Sequence, residues 1–512
     1  MKAFSNISRA LLESKFAIGL FAGVFLASVI FFSVSPQFGW HSPNVLLPEV
    51  PRNGGSAPSG SLTKEHNDLA PPPVNWRTDS PAVNRTTESP AVTKPANDKF
   101  PLTKLLFVRS FAGEAIAPSP AQPPLKPICD FSDYRYDGCE MWGDARTASG
   151  VNRSRVYFIP PPSQLATAAA ATWSVRSQSR KYVGVREVLV RSLNLSNLHD
   201  APNCTVRRNV PAVVFAIGAL TFNYWHAFSD VLVPLFTTAR AFSGEVELLA
   251  TDTRDKGWFL GKYSRVLRAL SRYEAVDLDA DAEVRCYPHV VVGLHGHRDF
   301  DIDPARTPNH YDMRAFRLFI REAYALPPPD AAALPCKSGA RRPRAMVILR
   351  GGTRRFVNPD AVVAAVERAG FEAVRMEPGS GLGMDMDAVA RAVDACDVLV
   401  GAHGAGLTNM VFLRTGAVVL QVVPWGKMEP HSEGFFGAPA KHMGVRHVMY
   451  SIAAEESTLY EKYGKDNPVI TDPDAFYRNG TNAQYYWREQ NIRLNTTRFM
   501  PTLKMVKRML QE

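Results

Sequence analysis

The sequence carries no internal repeat, so solenoids and arrays are set aside at once. Acidic side chains are outnumbered, 49 Asp and Glu against 59 Lys and Arg, and the net charge of +10 favours anionic partners: nucleic acid, anionic lipid or a phosphorylated small molecule. Charge alone does not choose among them. Cysteine is scarce, with six in 512 residues, too few for a scaffold built mainly from disulfides. No Asp, Glu, Lys or Arg occurs between Lys15 and Glu49. Against these absences stand 46% apolar and 21% charged residues, which exclude wholesale disorder, and 39 prolines, which mark part of the chain as unable to fold. The length exceeds what one hydrophobic core organises and predicts two globular domains with non-globular additions.

The uncharged stretch opens with Phe16 to Val34, FAIGLFAGVFLASVIFFSV, 19 residues long. That is close to the roughly 20 a helix needs to cross a bilayer and longer than the apolar part of a cleaved signal peptide, about 7 to 15. Lys2, Arg9 and Lys15 precede it, so the positive-inside bias leaves residues 1–15 in the cytoplasm and everything after the span in the lumen. Asn-X-Ser/Thr triplets at Asn84, Asn152, Asn194, Asn203, Asn479 and Asn495 all fall on that lumenal side as glycan acceptors. In an oxidising lumen the six cysteines allow fifteen pairings. Cys129 and Cys139 are the favoured pair, and Cys396, inside AVDACDVLV, reads as a buried free thiol.

Residues 35–125 hold sixteen of the prolines among Ser, Thr, Asn and Gly, with almost no apolar periodicity, and read as a disordered stem. From Ile128 short β-rich runs (RVYFIP, AVVFAIG, VELLATD, HVVVGLH) alternate with helical stretches such as DMRAFRLFIREAYAL, the rhythm of α/β layers. A break near 326–344 separates a domain at 126–335 from one at 336–512. In the second, RAMVILR, PDAVVAAVERAG, FEAVRME, MDAVARAVDA, CDVLVGA and AVVLQVVP spell strand, helix, strand, helix and two more strands, a doubly wound parallel sheet.

Three constellations carry chemistry. VLVGAHGAGLTN ends a buried strand in a glycine-rich turn that opens a helix, where free backbone N–H groups and the helix dipole receive phosphate; His403, Gly404, Ala405, Gly406 and Asn409 are its candidates. It is neither a Walker loop, since the Lys-Ser/Thr pair is missing, nor GxGxxG. The same turn also suits a plain strand–helix connection. LRGGTRRFVN puts Arg350 and Arg354 at the end of the domain's first strand, suited to a leaving diphosphate, with a basic surface loop as the alternative. In GALTFNYWHAFSDVLVPLF, His226 and Asp230 lie four apart on one helical face, so the carboxylate would orient the imidazole as a base, with Asn223 one turn earlier; such a pair is also common on ordinary surfaces. Trp425, in VVPWG, is read either as lining the cleft or as core. The acidic pairs at Asp277, Asp279 and Asp281, at Asp299, Asp301 and Asp303, and at Asp385 and Asp387 do not end buried strands, and no metal is expected.

With these residues in view, CDFSDYRYDGCEMWGDAR, the GALTFNYWHAFSDVLVPLF segment, ILRGGTRRFVN and VGAHGAGLTNMVFLRTGAVVLQVVPWG resemble glycosyltransferase family 61, in particular its grass xylan arabinosyltransferase and xylosyltransferase branch, over about 128–512. GALTFNYWH departs from the Gly-Gly or Gly-Tyr that more often precedes the Asn. The resemblance implies a GT-B fold of two Rossmann-like domains facing a cleft, an inverting transfer from a UDP-pentose held by the C-terminal domain, xylan as acceptor, and residence in the Golgi membrane as a single-pass type II protein. The expectation is a pentosyltransferase, with arabinofuranose the first choice and xylose the alternative. It needs no cofactor beyond its UDP-sugar substrate, binds no nucleic acid, and associates with other xylan-synthesis enzymes. A non-catalytic scaffold of such a complex is the competing reading.

Overall fold

The structure, a computed structural model, describes residues 128–150, 152–182, 184–254, 256–330, 341–377 and 385–512. The expected tail, membrane span and stem, with Asn84 and Cys336, lie outside them. Among the described residues no helix is long and apolar enough to cross a membrane.

The fold is mixed α/β, with two sheets. The first contains β1 (Ile128–Asp130), β2 (Gly138–Ala148), β3 (Arg155–Ile159), β4 (Ala171–Val175), β5 (Val188–Ser192), β6 (Val206–Arg207), β7 (Ala212–Ala216), β8 (Glu247–Thr251), β9 (Val276–Asp277) and β10 (Arg285–Val292). Their order is β4-β5-β3-β2-β10-β7-β8-β9, with β1 on β2 and β6 on β10. Only part of it is the parallel sheet expected: β10, β7, β8 and β9 run parallel, while β2 meets both β10 and β3 antiparallel. The reason lies in β2, whose Met141 and Ala145 are buried while Glu140, Asp144 and Arg146 keep partial exposure. A strand with one wet face suits antiparallel pairing, whereas β7 and β8 are buried throughout and suit the parallel part of the sheet. Cys129 sits opposite Cys139 and is bonded to it, as expected, and a second disulfide joins Cys204 to Cys286. Cys396 is a buried free thiol, pushed up to about 12 by burial.

The second sheet contains β11 (Arg344–Ile348), β12 (Glu372–Met376), β13 (Val398–Ala402), β14 (Val418–Val423) and β15 (Arg446–Ser451), all parallel, in the order β12-β11-β13-β14-β15. Helices Pro359–Arg368 and Met386–Asp394 make the crossovers their amphipathic patterns predict. The strand order reverses between β11 and β13, which opens a crevice at their carboxyl ends, where ligands of such sheets bind. One apolar core is continuous from Val213 and Phe215 of β7, through Phe228 and Phe316, to Met346, Val398 and Leu503. Across it the helix Met313–Ala323 sends two fully buried arginines toward the second sheet. Arg321 meets Asp394 at 2.6 Å and the carbonyls of Pro327 and Leu413, and Arg317 reaches Met443 and Thr415.

Candidate active site

After β7 the chain turns and enters a helix at Tyr224–His226. Asn223 caps it, its side chain accepting from the Trp225 N–H at 3.0 Å, so its oxygen serves the helix end. The helix widens to a π turn over Ala227–Leu232 and returns to α over Val233–Ala239, a local irregularity that often accompanies function. His226 Nδ1 lies 2.7 Å from Asp230 Oδ2. An ionised carboxylate only accepts, so Nδ1 carries the proton and Nε2, without a protein partner among the described residues, presents its lone pair. Burial alone would push the Asp230 carboxyl up; Arg180, the His226 hydrogen bond and Arg135 outweigh it and hold it below the usual carboxylate range.

Arg350 follows β11 and His403 follows β13, so both stand at the crevice where the strand order reverses. Gly404 takes φ +151°, and a Cβ there would lie 1.9 Å from an Arg350 guanidinium nitrogen; the glycine is what admits the arginine. Arg350 donates through Nε to the Thr353 carbonyl at 3.0 Å, and Arg354, at φ +57°, lies 5.4 Å from the Trp487 ring centroid. Neither guanidinium has a carboxylate partner among the described residues. Burial and Arg350 push Arg354 down to about 9, and two of its guanidinium nitrogens are buried without a hydrogen-bond partner. Arg355, by contrast, is exposed.

His403 is buried, and burial with the nearby arginines holds it neutral, well below the usual histidine range. His447 Nε2 and Gln421 Oε1 are 2.7 Å apart, and Gln421 Nε2 is 2.7 Å from His403 Nδ1, a chain that leaves Nε2 as the remaining donor of His403. The glycine-rich turn leads into a short helix, as expected, and that helix is of the 3₁₀ type, Ala405–Phe412. Gly406 is small for a different reason from Gly404: its Cβ would meet the Ile348 side chain at 2.8 Å, so it serves packing of the turn on β11. Asn409 is buried, accepts from the Tyr224 hydroxyl at 3.0 Å and donates to the Gly406 carbonyl. It pins the 3₁₀ helix to the helix of His226. Trp425 is clamped by Gln490, whose side chain bonds both its N–H and its carbonyl, and it lines a cavity of about 280 Å³ with Lys427, Ile452 and Ile470, apart from Arg350 and His403.

The two groups meet across aromatic rings. Trp225, next to His226, lies 4.9 Å from Phe435 by ring centroids, and Phe435 lies 6.2 Å from both His403 and Trp487. The sequence reading did not single out Phe435, Trp487, Gln490, Arg135 or Arg180, and it weighed Asp299 only as one of the acidic pairs. Gln490 fixes two loops at once, since its carbonyl also accepts from the Arg354 N–H at 2.7 Å. Phe435 and Trp487 lie in short π-helical segments, Glu433–Gly437 and Ala483–Glu489, and the others in loops; neither setting has a periodic signal, and only the local charge of Arg135 and Arg180 gives any hint.

Each residue of the acidic pairs is engaged by a protein partner. Asp279 meets Arg186, Asp281 Arg285, Asp299 Arg135, Asp301 His442 and Asp387 Arg265, while Asp303 and Asp385 cap helices and Asp277 accepts from Thr253. Asp144 approaches Cys204 and Cys286, but those sulfurs are spent in a disulfide. Of the glycan acceptors, Asn152, Asn203, Asn479 and Asn495 are exposed and Asn194 is partly so. Asn495 also caps the terminal helix Thr496–Met509.

Residues 224–420 match the family model for glycosyltransferase 61, a span that begins with the helix of His226 and ends in β14. The chain is 40% identical over 402 residues to a beta-1,2-xylosyltransferase of Oryza sativa subsp. japonica, 75% of this chain and 83% of that protein. It is 39% identical over 380 residues to an alpha-1,3-arabinosyltransferase of the same species, covering 74% of this chain and 64% of the relative. A xylan glycosyltransferase of Arabidopsis thaliana is 30% identical over 404 residues, 76% and 80% of the two chains. With these relatives, and with the site built on the matched span, the chain belongs to glycosyltransferase family 61 and is a glycosyltransferase.

Proposed function

We propose that the protein transfers a pentose from a UDP-sugar to the xylan backbone with inversion at the anomeric carbon. The observation that carries this is the pair Arg350 and Arg354, two guanidiniums without carboxylate partners at the sheet's switch point, one aromatic layer from a His–Asp pair whose Nε2 is free. The arginines neutralise the diphosphate of the donor, and the start of the 405–412 helix adds backbone N–H groups. His226 Nε2 takes the proton of an acceptor hydroxyl, whose oxygen attacks the anomeric carbon opposite the UDP; the bond to UDP breaks and UDP leaves with the electron pair. The printed names of the relatives support xylan and a pentose.

Arabinofuranose remains our first donor. Xylose is the alternative favoured by the 40% identity to a xylosyltransferase. The reading takes the GT-B arrangement, with 126–335 on the acceptor side and 336–512 on the donor side, and type II residence in the Golgi membrane through residues 16–34. It places no metal in the reaction. Calorimetry with UDP tests the donor site: the full chain binds UDP, and Arg350→Ala with Arg354→Ala weakens binding about a hundredfold, roughly 2.7 kcal/mol. Unchanged affinity in the double variant sinks the assignment.

A further inference from the structure

We propose that Arg180 is a positioning residue that sets the orientation and charge of the His226–Asp230 pair, acting with Asp299 and Arg135. The inference rests on the reading of His226 as the base. Arg180 Nε bonds Asp230 Oδ1 at 2.8 Å, while His226 Nδ1 takes Oδ2 at 2.7 Å, so the two oxygens of one buried carboxylate are divided between the two partners. Asp299 Oδ1 accepts from Arg180 and, at 2.7 Å, from Arg135, whose other terminal nitrogen is 4.0 Å from Asp230. Two carboxylates and two guanidiniums thus form a charge-balanced square behind the imidazole.

Arg180 is locked in place. Its guanidinium carbon lies 5.4 Å from the Trp225 ring and 5.5 Å from that of Tyr182, and the neighbouring Ser179 hydroxyl donates to the Asp230 carbonyl at 2.8 Å. The titratable and charged groups facing His226 are Asp230 on its own helix, Arg180 and Tyr182 from the loop after β4, Arg135 from the loop after β1, and Asp299 from the loop after β10. Tyr182 stays neutral, because burial and Asp230 raise its phenol.

The square sets the charge that stands behind His226. Arg180 on the second oxygen offsets the charge of the Asp230 carboxylate while leaving the hydrogen bond that aims the ring. A base must be neutral to act, so anything that makes the square more negative pushes the acid limb of the rate profile to higher pH, and anything that makes it more positive pulls the limb down.

The test uses the full-length chain and two readouts: the pH–rate profile for transfer, and the pH midpoint of diethyl pyrocarbonate modification at His226, followed by peptide mass spectrometry. Arg180→Met is expected to raise both midpoints by about one pH unit or more, and Asp299→Asn to lower them, while Arg180→Lys stays near the parent. A merely structural role lowers the rate at every pH and moves neither midpoint in a sign-dependent way. If Arg180→Met does not fold, Asp299→Asn and Arg180→Lys read out the same prediction. Modification midpoints that stay fixed in the folded variants overturn the proposal. Midpoints that move in opposite directions while the rate profile stays put uphold Arg180 and remove His226 as the base.

Discussion

His226 and Gly404 each owe their proposed role to what they leave open, one a lone pair and the other a space. His226→Ala is expected to cut turnover by roughly 10²-fold or more with UDP affinity unchanged. Near-parental turnover in a folded variant would take the residue out of the mechanism. Gly404→Ala forces a methyl group into the Arg350 guanidinium and strains a backbone at φ +151°. UDP affinity should fall about tenfold, worth roughly 1.4 kcal/mol, and calorimetry decides it. Gly406→Ala presses on Ile348 instead, so it should lower thermal stability while the folded fraction keeps its UDP affinity. Glycine in a loop at a strand end is legible in the sequence as room for something. What fills the room is not: Gly404 is filled by an arginine 54 residues earlier and Gly406 by the side chain of β11, and chain spacing carries neither contact.

The second sheet is the element that organises the proposed donor side, and β11, β13 and β14 were readable because each is a short apolar run; β12 was placed by the amphipathic helices on either side of it, and the half-exposed β15 was not read at all. The first sheet was readable at β7, β8 and β10, where burial is nearly continuous, and at the alternating β3; β2 mixes Glu140, Asp144 and Arg146 with apolar residues and gives no such signal. Helix Met313–Ala323 shows the same limit. Its amphipathic face was plain, yet Arg317 and Arg321 are fully buried, because distant carbonyls, Thr415 and Asp394 accept from their terminal nitrogens. Burial and Arg321 push Arg317 down to about 10. Removing Asp394 leaves Arg321 as an unpaired buried cation and releases Arg414 as well. Asp394→Ala should therefore cost about 3 kcal/mol in chemical denaturation. A loss below about 0.5 kcal/mol, the level of an ordinary surface change, would show that the carbonyls suffice.

Five histidines, His295, His297, His403, His431 and His447, are all pulled below the ordinary histidine range, with burial the first cause in each. The unfolded chain takes up protons at them near pH 6.5 and the folded chain does not, so their stability contribution is whole above that pH and is lost as pH falls toward the folded values. His297, lowered to about 4, alone accounts for roughly 3 kcal/mol across that interval. The melting temperature should decline steadily from pH 6.5 to pH 4, and a flat profile would contradict the burial of these rings. Transfer should survive EDTA if, as proposed, Arg350 and Arg354 meet the diphosphate in place of a divalent ion; loss of activity restored by manganese would bring the acidic pairs back into consideration. The central claim is that a guanidinium-lined donor site and a histidine base act on one sugar across the aromatic layer of Trp225 and Phe435. Its most direct test is to incubate the full-length chain with UDP-arabinofuranose or UDP-xylose and a xylo-oligosaccharide, and to read the anomeric configuration of the product by NMR. The account predicts a pentose transferred from one of these donors with its configuration inverted, and no transfer by the His226→Ala or Arg350→Ala/Arg354→Ala variants above about a hundredth of the parent rate. A product that retains configuration, or UDP release and transfer from neither donor, would contradict it.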